Sequence, residues 1–481
     1  MAPFIPRYSV FRSNFANKYL SYVDESGSSQ YRFVKCDGTD ILSPFSKFRV
    51  EKANISPDFI HIRCCFSNKY WRLSSENSAY IVAAAERPEE DQSKWSCTLF
   101  KPIQAGDDQT ILRFQHVQNG NNVWFDQLNK NYGCLIAMFS YPGSNGVDLF
   151  TVINWESLVI LPKHIVFKGD NGKYLRYRGE NGDDHMEFGC DDFGSTKVAN
   201  ETFTNFDGSI RVKLDSNGQF LEATPNWIYP ISTDTSATPA TSFWPVKLGP
   251  EGNKDNIIAL KSLGNDRFLR RTNYGGTVDC LAAASWATTI DKEAYLEVEE
   301  PLVSRKVYDL DFHLGDIMVY DEQILVLAND EVSNNSDTEI KDSSLALEYE
   351  DSRTSTYNTS TSVKTGIAME FSASIPVIED VLDVGLSSQF SLEFGKKYAW
   401  GEEKKKTNKL SATMKVVVPP KTKVKVELAA TKGTCDVPFS YAQRDTLTNG
   451  KQITYIKDDG VYTGSNYFGF NFVVKEEKIS G

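Results

Sequence analysis

The chain has 481 residues, of which 40% are hydrophobic and 24% charged; this excludes disordered and fibrous classes and leaves room for about three domains. Its 52 Lys and Arg against 64 Asp and Glu give a net charge of −12, and neither the first 300 residues nor the remainder is basic, so nucleic acid is not an expected partner. No run reaches the roughly 18 apolar residues of a membrane helix and Met1–Arg7 lacks a signal-peptide core, so a cytoplasmic or nucleocytoplasmic protein is expected.

Along the first 270 positions a short motif recurs about every 50 residues: Asn, Gly or Asp, a polar residue, an aromatic or branched residue, then Leu or Trp. Its copies are Asn17-Lys18-Tyr19-Leu20, Asn68-Lys69-Tyr70-Trp71, Asn121-Asn122-Val123-Trp124, Gly172-Lys173-Tyr174-Leu175, Gly218-Gln219-Phe220-Leu221 and the weaker Asp266-Arg267-Phe268-Leu269. Each reads as a turn at positive φ followed by a strand that buries its aromatic and aliphatic residues. A longer period groups the copies in threes. Phe15–Tyr22 resembles Asp170–Tyr177, and Asn131–Ala137 resembles Thr277–Ala283. Three hairpin repeats taken twice describe two β-trefoils, residues 1–157 and 158–300; a propeller blade would want about 40–45 residues and four strands.

The eight cysteines are sparse and irregularly spaced, with no CxxC pair, and are expected as buried, reduced thiols. Cys64 and Cys65 read as part of one strand, and the sequons at Asn54, Asn200, Asn334 and Asn358 as chance matches.

Asn68-Lys69-Tyr70-Trp71 with Ser93–Pro102, and Phe167–Leu175 opening the second unit, resemble the amaranthin-type plant agglutinins over residues 1–300. The resemblance implies two tandem lectin domains that bind glycans containing galactose or GalNAc. It also implies a dimer in solution, with sites where one subunit's first trefoil meets the partner's second. Where that family carries an Asn-His-Tyr-Trp run, this chain has Asn77-Ser78-Ala79-Tyr80, and Asn226-Trp227-Ile228-Tyr229 takes the comparable place in the second trefoil. An aromatic face stacks on a sugar and amides read its hydroxyls, so Asn77, Tyr80, Trp227 and Tyr229 are the carbohydrate-binding candidates.

After Glu300-Pro301 the repeat stops, and residues 301–481 read as long strands: Ile317–Leu327, a polar run from Leu345, Leu410–Val418, Lys421–Ala430 and Asn466–Lys475. Eleven of the 23 residues from Ser352 to Ser374 are Ser or Thr, which suits a wet sheet face. From Val363 the odd positions Val363, Ile367, Met369, Phe371 and Ile375 are apolar. Beyond Pro376–Val381 the parity swaps, and Leu382, Leu386, Phe390, Leu392 and Phe394 take the apolar face. Pairing Ile375 with Leu382 puts the apolar residues of both arms on one side. Each arm has 13 residues, against the roughly 9–11 of a tilted membrane strand. Long Ser/Thr-rich strands flanking this amphipathic hairpin resemble the aerolysin-type pore-forming module, a known fusion partner of plant lectins. The fold expected is therefore all-β: two tandem β-trefoils, then an elongated antiparallel sheet with an insertion hairpin. The resemblance implies a soluble protein that inserts into glycan-bearing membranes as a larger ring, in plant defence. The alternative is a soluble glycan-binding or adhesion protein whose β-rich tail only forms oligomers.

No enzyme signature is present. His61, His116, His164, His185 and His313 are scattered, with no HExxH, nucleophile elbow or P-loop, so no catalytic residue, metal or cofactor is expected. Gly169-Asp170-Asn171-Gly172 reads as a turn, Glu89-Glu90-Asp91 and Asp183-Asp184 as solvated charge, and Glu402–Lys406 as an exposed loop. His185 beside its two aspartates marks a minor loop-site candidate.

Overall fold

The computed structural model describes residues 3–127, 130–179, 183–249, 256–285, 290–361, 369–372, 397–398 and 400–479. In the first repeat unit the strands Tyr8–Ser13, Phe48–Lys52, Ile60–Cys64, Phe100–Gln104, Ile111–His116 and Phe150–Asn154 each pair antiparallel with the next, and the last pairs with the first. That closes a barrel. Three hairpins cap it: Lys18–Tyr22 with Val34–Gly38, Tyr70–Ser75 with Ser78–Ala85, and Asn122–Phe125 with Leu135–Phe139. The second unit repeats the plan with barrel strands His164–Lys168, Asn200–Thr204, Ile210–Leu214, Phe243–Lys247, Ile257–Ser262 and Leu296–Glu299. Its cap hairpins are Tyr174–Tyr177 with Met186–Cys190, Phe220–Thr224 with Trp227–Ser232, and Phe268–Tyr274 with Thr277–Ser285. Both units are β-trefoils.

The motif found in the sequence marks one backbone event. At every copy the register slips within its last residues, at Tyr19/Leu20, Tyr70/Trp71, Asn122/Val123, Tyr174/Leu175, Phe220/Leu221 and Phe268/Leu269. Ordinary alternation would send one of two neighbouring apolar residues outward; a β-bulge lets both turn inward. Tyr70 and Trp71 are accordingly both buried. The turn before each bulge takes positive φ at Asn17, Asn68, Gly172, Gly218 and Asp266, as expected; in the third copy Gly120 takes it and the bulge follows two residues on as in the others, so the structural copy there is Gly120-Asn121-Asn122-Val123, one residue before the motif read from the sequence.

The trefoils share one compact unit. The Tyr19 ring stacks on Phe206, centroids 4.6 Å apart, and its hydroxyl donates to the Phe206 carbonyl at 2.6 Å. Ile41, Trp155, Leu158 and Trp244 pack in the same cluster. Residues 444–454 of the tail belong to this unit too. Arg305 joins them to the end of the second trefoil, donating to both oxygens of Asp445 (2.7 and 2.8 Å) and of Glu300 (2.6 and 3.2 Å), with all three side chains buried or nearly so.

Most of the tail, from Lys306 to Thr359 and again on either side of residues 444–454, packs as a second unit around an eight-stranded antiparallel sheet. Its long strands are Leu302–Phe312, Met318–Asn334, Lys341–Asn358, Glu403–Val418, Thr422–Leu447 and Gln452–Lys478. They extend well beyond the segments legible in sequence, and Glu403–Lys406 is strand rather than loop, held against Arg353–Thr356 of the neighbouring strand. One core gathers Leu345, Leu347, Val416, Val424, Val426 and Leu428. A second gathers Val307, Tyr357, Val437, Phe439, Tyr441 and Tyr462. Of the amphipathic segment 363–394 only Met369–Ser372 is described, as a strand whose Met369 faces Tyr398. An odd-numbered residue thus still faces an even-numbered one, although at a different register from the pairing of Ile375 with Leu382. Val363, Ile367, Ile375, Leu386, Phe390, Leu392 and Phe394 lie outside the described residues.

Of the cysteines, Cys36, Cys64, Cys97, Cys134 and Cys280 are buried free thiols, and burial pushes the Cys64 thiol up to about 12. Cys65 lies just past the end of its predicted strand, its N–H donating to the Lys47 carbonyl.

Candidate functional site

The centre of each trefoil cap is where the three hairpins meet. In the first, Lys35 pairs with Cys134 and Tyr80 with Ile136. In the second, Glu187 pairs with Cys280 and Trp227 with Ala282. These registers make Tyr80 and Trp227 equivalent, and Phe33 and His185, each two residues before its pair, equivalent as well. Position within the two four-residue runs would instead match Tyr80 with Tyr229; the structure differs because the hairpin tip carrying Asn77 is longer than the one carrying Asn226, with Leu73 opposite Ile81 and Ala223 opposite Ile228.

The two centres differ chemically. In the first, Tyr80 packs on Phe33 (centroids 5.5 Å apart) and donates its hydroxyl to the buried Asp126 carboxylate at 2.7 Å. Burial, reinforced by that acceptor, pushes the phenol up to about 12. Asn77 sits at the exposed tip of the same hairpin. Asn77 is thus at the tip, while Tyr80, three residues on and half-buried, is held by Phe33 and Asp126.

In the second centre the His185 ring lies edge-on to Trp227 (5.2 Å, 87°) and against Tyr229 (5.1 Å). Its Nδ1 is 2.6 Å from Asp183 Oδ1, and its Nε2 is 3.3 Å from the Tyr229 hydroxyl. Arg178 donates to Asp183 at 2.7 Å and to Glu187 at 2.9 Å. The Arg178 hydrogen bond and then that of His185 hold the Asp183 carboxyl down at about 2. Asp184 accepts from the Tyr177 hydroxyl at 2.7 Å. So the aspartates read as solvated charge instead organise an aromatic and polar surface, partly open to solvent at Asp183, His185 and Arg178. Glu90 is likewise engaged, accepting from the Asn54 and Ile55 amides and facing His61. Trp227 and Tyr229 are brought together; the contribution of His185 was only faintly visible, through its neighbouring acids. Stacking surface, a fixed carboxylate and an imidazole are what a sugar ring with several hydroxyls needs. Among the described residues no group of three or more His, Cys, Asp or Glu is placed to hold a metal ion.

Comparison with known proteins agrees with this architecture. The Agglutinin domain family model matches residues 4–153 and again 159–300, and the Aerolysin toxin model matches 304–446. No curated protein matches the chain. Among solved structures, a lamprey immune protein is similar over 67% of this chain and 94% of its own, at 14% identity and a TM-score of 0.30. The aerolysin-like protein of Bombina maxima is similar over 36% of this chain and 99% of its own, at 12% identity and a TM-score of 0.25. The parasporin-2 toxin of Bacillus thuringiensis is similar over 36% and 74%, at 18% identity and a TM-score of 0.20. The chain belongs to the Agglutinin domain family, as two tandem lectin domains followed by an aerolysin-type module.

Proposed function

We propose that this protein recognises membrane glycans through its trefoils and then drives the 363–394 hairpins of several copies into the bilayer as a β-barrel pore. The observation that carries the lectin half is the surface made by Trp227, Tyr229, His185 and Asp183. In this reading a galactose- or GalNAc-containing glycan stacks on Trp227, Tyr229 packs beside it, and the Asp183 carboxylate accepts sugar hydroxyls. Asn77 supplies an exposed amide on the first trefoil, and Tyr80 backs that hairpin through Asp126. Each site buries little sugar, so strength comes from multivalency.

The pore half rests on the alternation of the hairpin and on its setting beside an aerolysin-type module. Val363, Ile367, Met369, Phe371, Ile375, Leu386, Phe390, Leu392 and Phe394 would face lipid, and Glu370, Asp383, Gln389 and Glu393 the lumen. An open sheet edge cannot face hydrocarbon, so insertion requires several copies. Before insertion the protein is soluble and dimeric, in the cytoplasm or nucleus. A glycan array followed by dye release from vesicles carrying the best hit tests the reading. Glycan binding without leakage leaves an adhesion protein whose tail only assembles, and no glycan signal from oligomeric protein removes the lectin half.

A further inference from the structure

Asp183, His185 and Tyr229 form one hydrogen-bonded chain across two hairpins of the second trefoil cap. The imidazole is the middle link, with Nδ1 2.6 Å from Asp183 Oδ1 and Nε2 3.3 Å from the Tyr229 hydroxyl. The fold itself does not call for an imidazole there. At the equivalent place in the first trefoil an apolar ring, Phe33, packs on Tyr80.

Counting protons fixes the direction of each bond. Hydrogen bonds from Arg178 and then His185 hold the Asp183 carboxyl down at about 2, so near neutrality it is an ionised group that only accepts. Nδ1 therefore carries the hydrogen, and in the neutral ring Nε2 carries a lone pair. The Tyr229 hydroxyl then donates to Nε2. Burial, followed by the Asp183 charge, pushes the Tyr229 phenol up, so it keeps its single proton. With that proton turned inward, Tyr229 offers a ligand only lone pairs. One more proton on His185 reverses the arrangement. Nε2–H now donates, Tyr229 accepts, and the hydroxyl hydrogen turns outward. The imidazolium also holds Asp183 as a charged pair, which competes with a ligand for its lone pairs.

The surroundings leave the imidazole as the group that responds near neutrality. Its own hairpin carries Asp183, Asp184, which accepts from Tyr177, and Glu187, which accepts from Arg176 and Arg178. The second hairpin adds Glu222, opposite Tyr229. The third adds Cys280, opposite Glu187, and Asp279, which accepts from Arg271. Burial pushes the Cys280 thiol up to about 11. Of these residue types, histidine alone ordinarily changes charge between pH 5 and 8.

We propose that His185 is a proton switch in the glycan site: the neutral ring sets the Tyr229 hydroxyl to accept from a sugar hydroxyl, and the protonated ring turns it round and weakens the grip in mild acid. The proposal rests on the glycan reading of this surface and names its regulation. His185 acts here through Tyr229 and Asp183, as a positioning residue.

The test titrates the full-length chain onto immobilised galactosyl-GalNAc at pH 7.5 and pH 5.5, at one ionic strength. The parent should bind roughly ten-fold more weakly at pH 5.5, the worth of about one hydrogen bond. His185→Gln, which takes up no proton there, should bind more weakly than the parent at pH 7.5 but change by less than about two-fold between the two conditions. His116 and His164 remain in that variant, so a full acid loss shared with the parent comes from elsewhere and overturns the switch. A second measurement uses the parent alone, with carbon-13-labelled histidine and the His185 signal assigned by its absence from His185→Gln. Binding that prefers the neutral ring must reciprocally favour loss of its proton, so saturating galactosyl-GalNAc should lower the His185 titration midpoint by about one pH unit. A midpoint that stays or rises overturns the switch while leaving the glycan site in place. No binding by the parent at pH 7.5 overturns both.

Discussion

The His185 imidazole stands edge-on to the Trp227 indole, ring centroids 5.2 Å apart, where the first trefoil puts Phe33 against Tyr80. One fold position thus holds an apolar brace in one domain and an acid-backed aromatic surface in the other. Trp227→Ala should reduce glycan binding by at least roughly ten-fold while the thermal midpoint hardly moves, because it removes stacking area from the surface. Tyr80→Phe should do the reverse. It leaves the buried Asp126 without that donor, costing about 1.5 kcal/mol in denaturant unfolding, with array signals retained. Loss of binding in Tyr80→Phe with Trp227→Ala unaffected would move the site to the first trefoil.

His116 and His164 are buried, one in each trefoil, and burial lowers both below the ordinary histidine value. Protonation is therefore harder in the folded chain than in the unfolded one. The stability tied to these neutral rings is fully present above about pH 6.5 and is lost as pH falls through their lowered values. The thermal midpoint should be flat above neutrality and decline in mild acid. An NMR titration of the imidazole carbons checks the cause: midpoints at or above 6.5 for both rings would contradict it.

The bulge that follows each repeat turn needs a residue tolerant of positive φ. Gly218, at φ 72°, should lose about 1–2 kcal/mol on Gly218→Val, whereas Asn17→Gly, at φ 50°, should be neutral or slightly stabilising. Urea unfolding of both variants decides this; a neutral Gly218→Val would mean the turn can relax without the left-handed conformation.

What the sequence reveals is local, and what it conceals depends on closure. Tyr70-Trp71 and Phe220-Leu221 are neighbours whose joint burial requires a bulge, so the repeat and its period can be read directly. His185 reaches Trp227 only because the hairpins converge at the cap centre, and nothing local in either segment predicts that contact. Alternation underestimates the tail strands for a different reason. Asn329-Asp330-Glu331 continues Met318–Asn334 as a charged edge, with no apolar face to announce a strand. Glu403–Lys406 reads as loop for the same reason, although it pairs with Arg353–Thr356.

The central claim is that a glycan-guided hairpin crosses the bilayer with its apolar face to lipid. Dye release from vesicles carrying a galactosyl-GalNAc glycolipid, compared between Ile367→Arg and Ser372→Arg, tests it most directly. Arginine on the lipid face at mid-bilayer costs on the order of 2–4 kcal/mol per strand, repeated in every copy, whereas in the lumen it is nearly free. The account predicts that Ile367→Arg binds the vesicles but releases no dye, while Ser372→Arg releases dye with ion selectivity shifted toward anions. Equal release by both variants would contradict it.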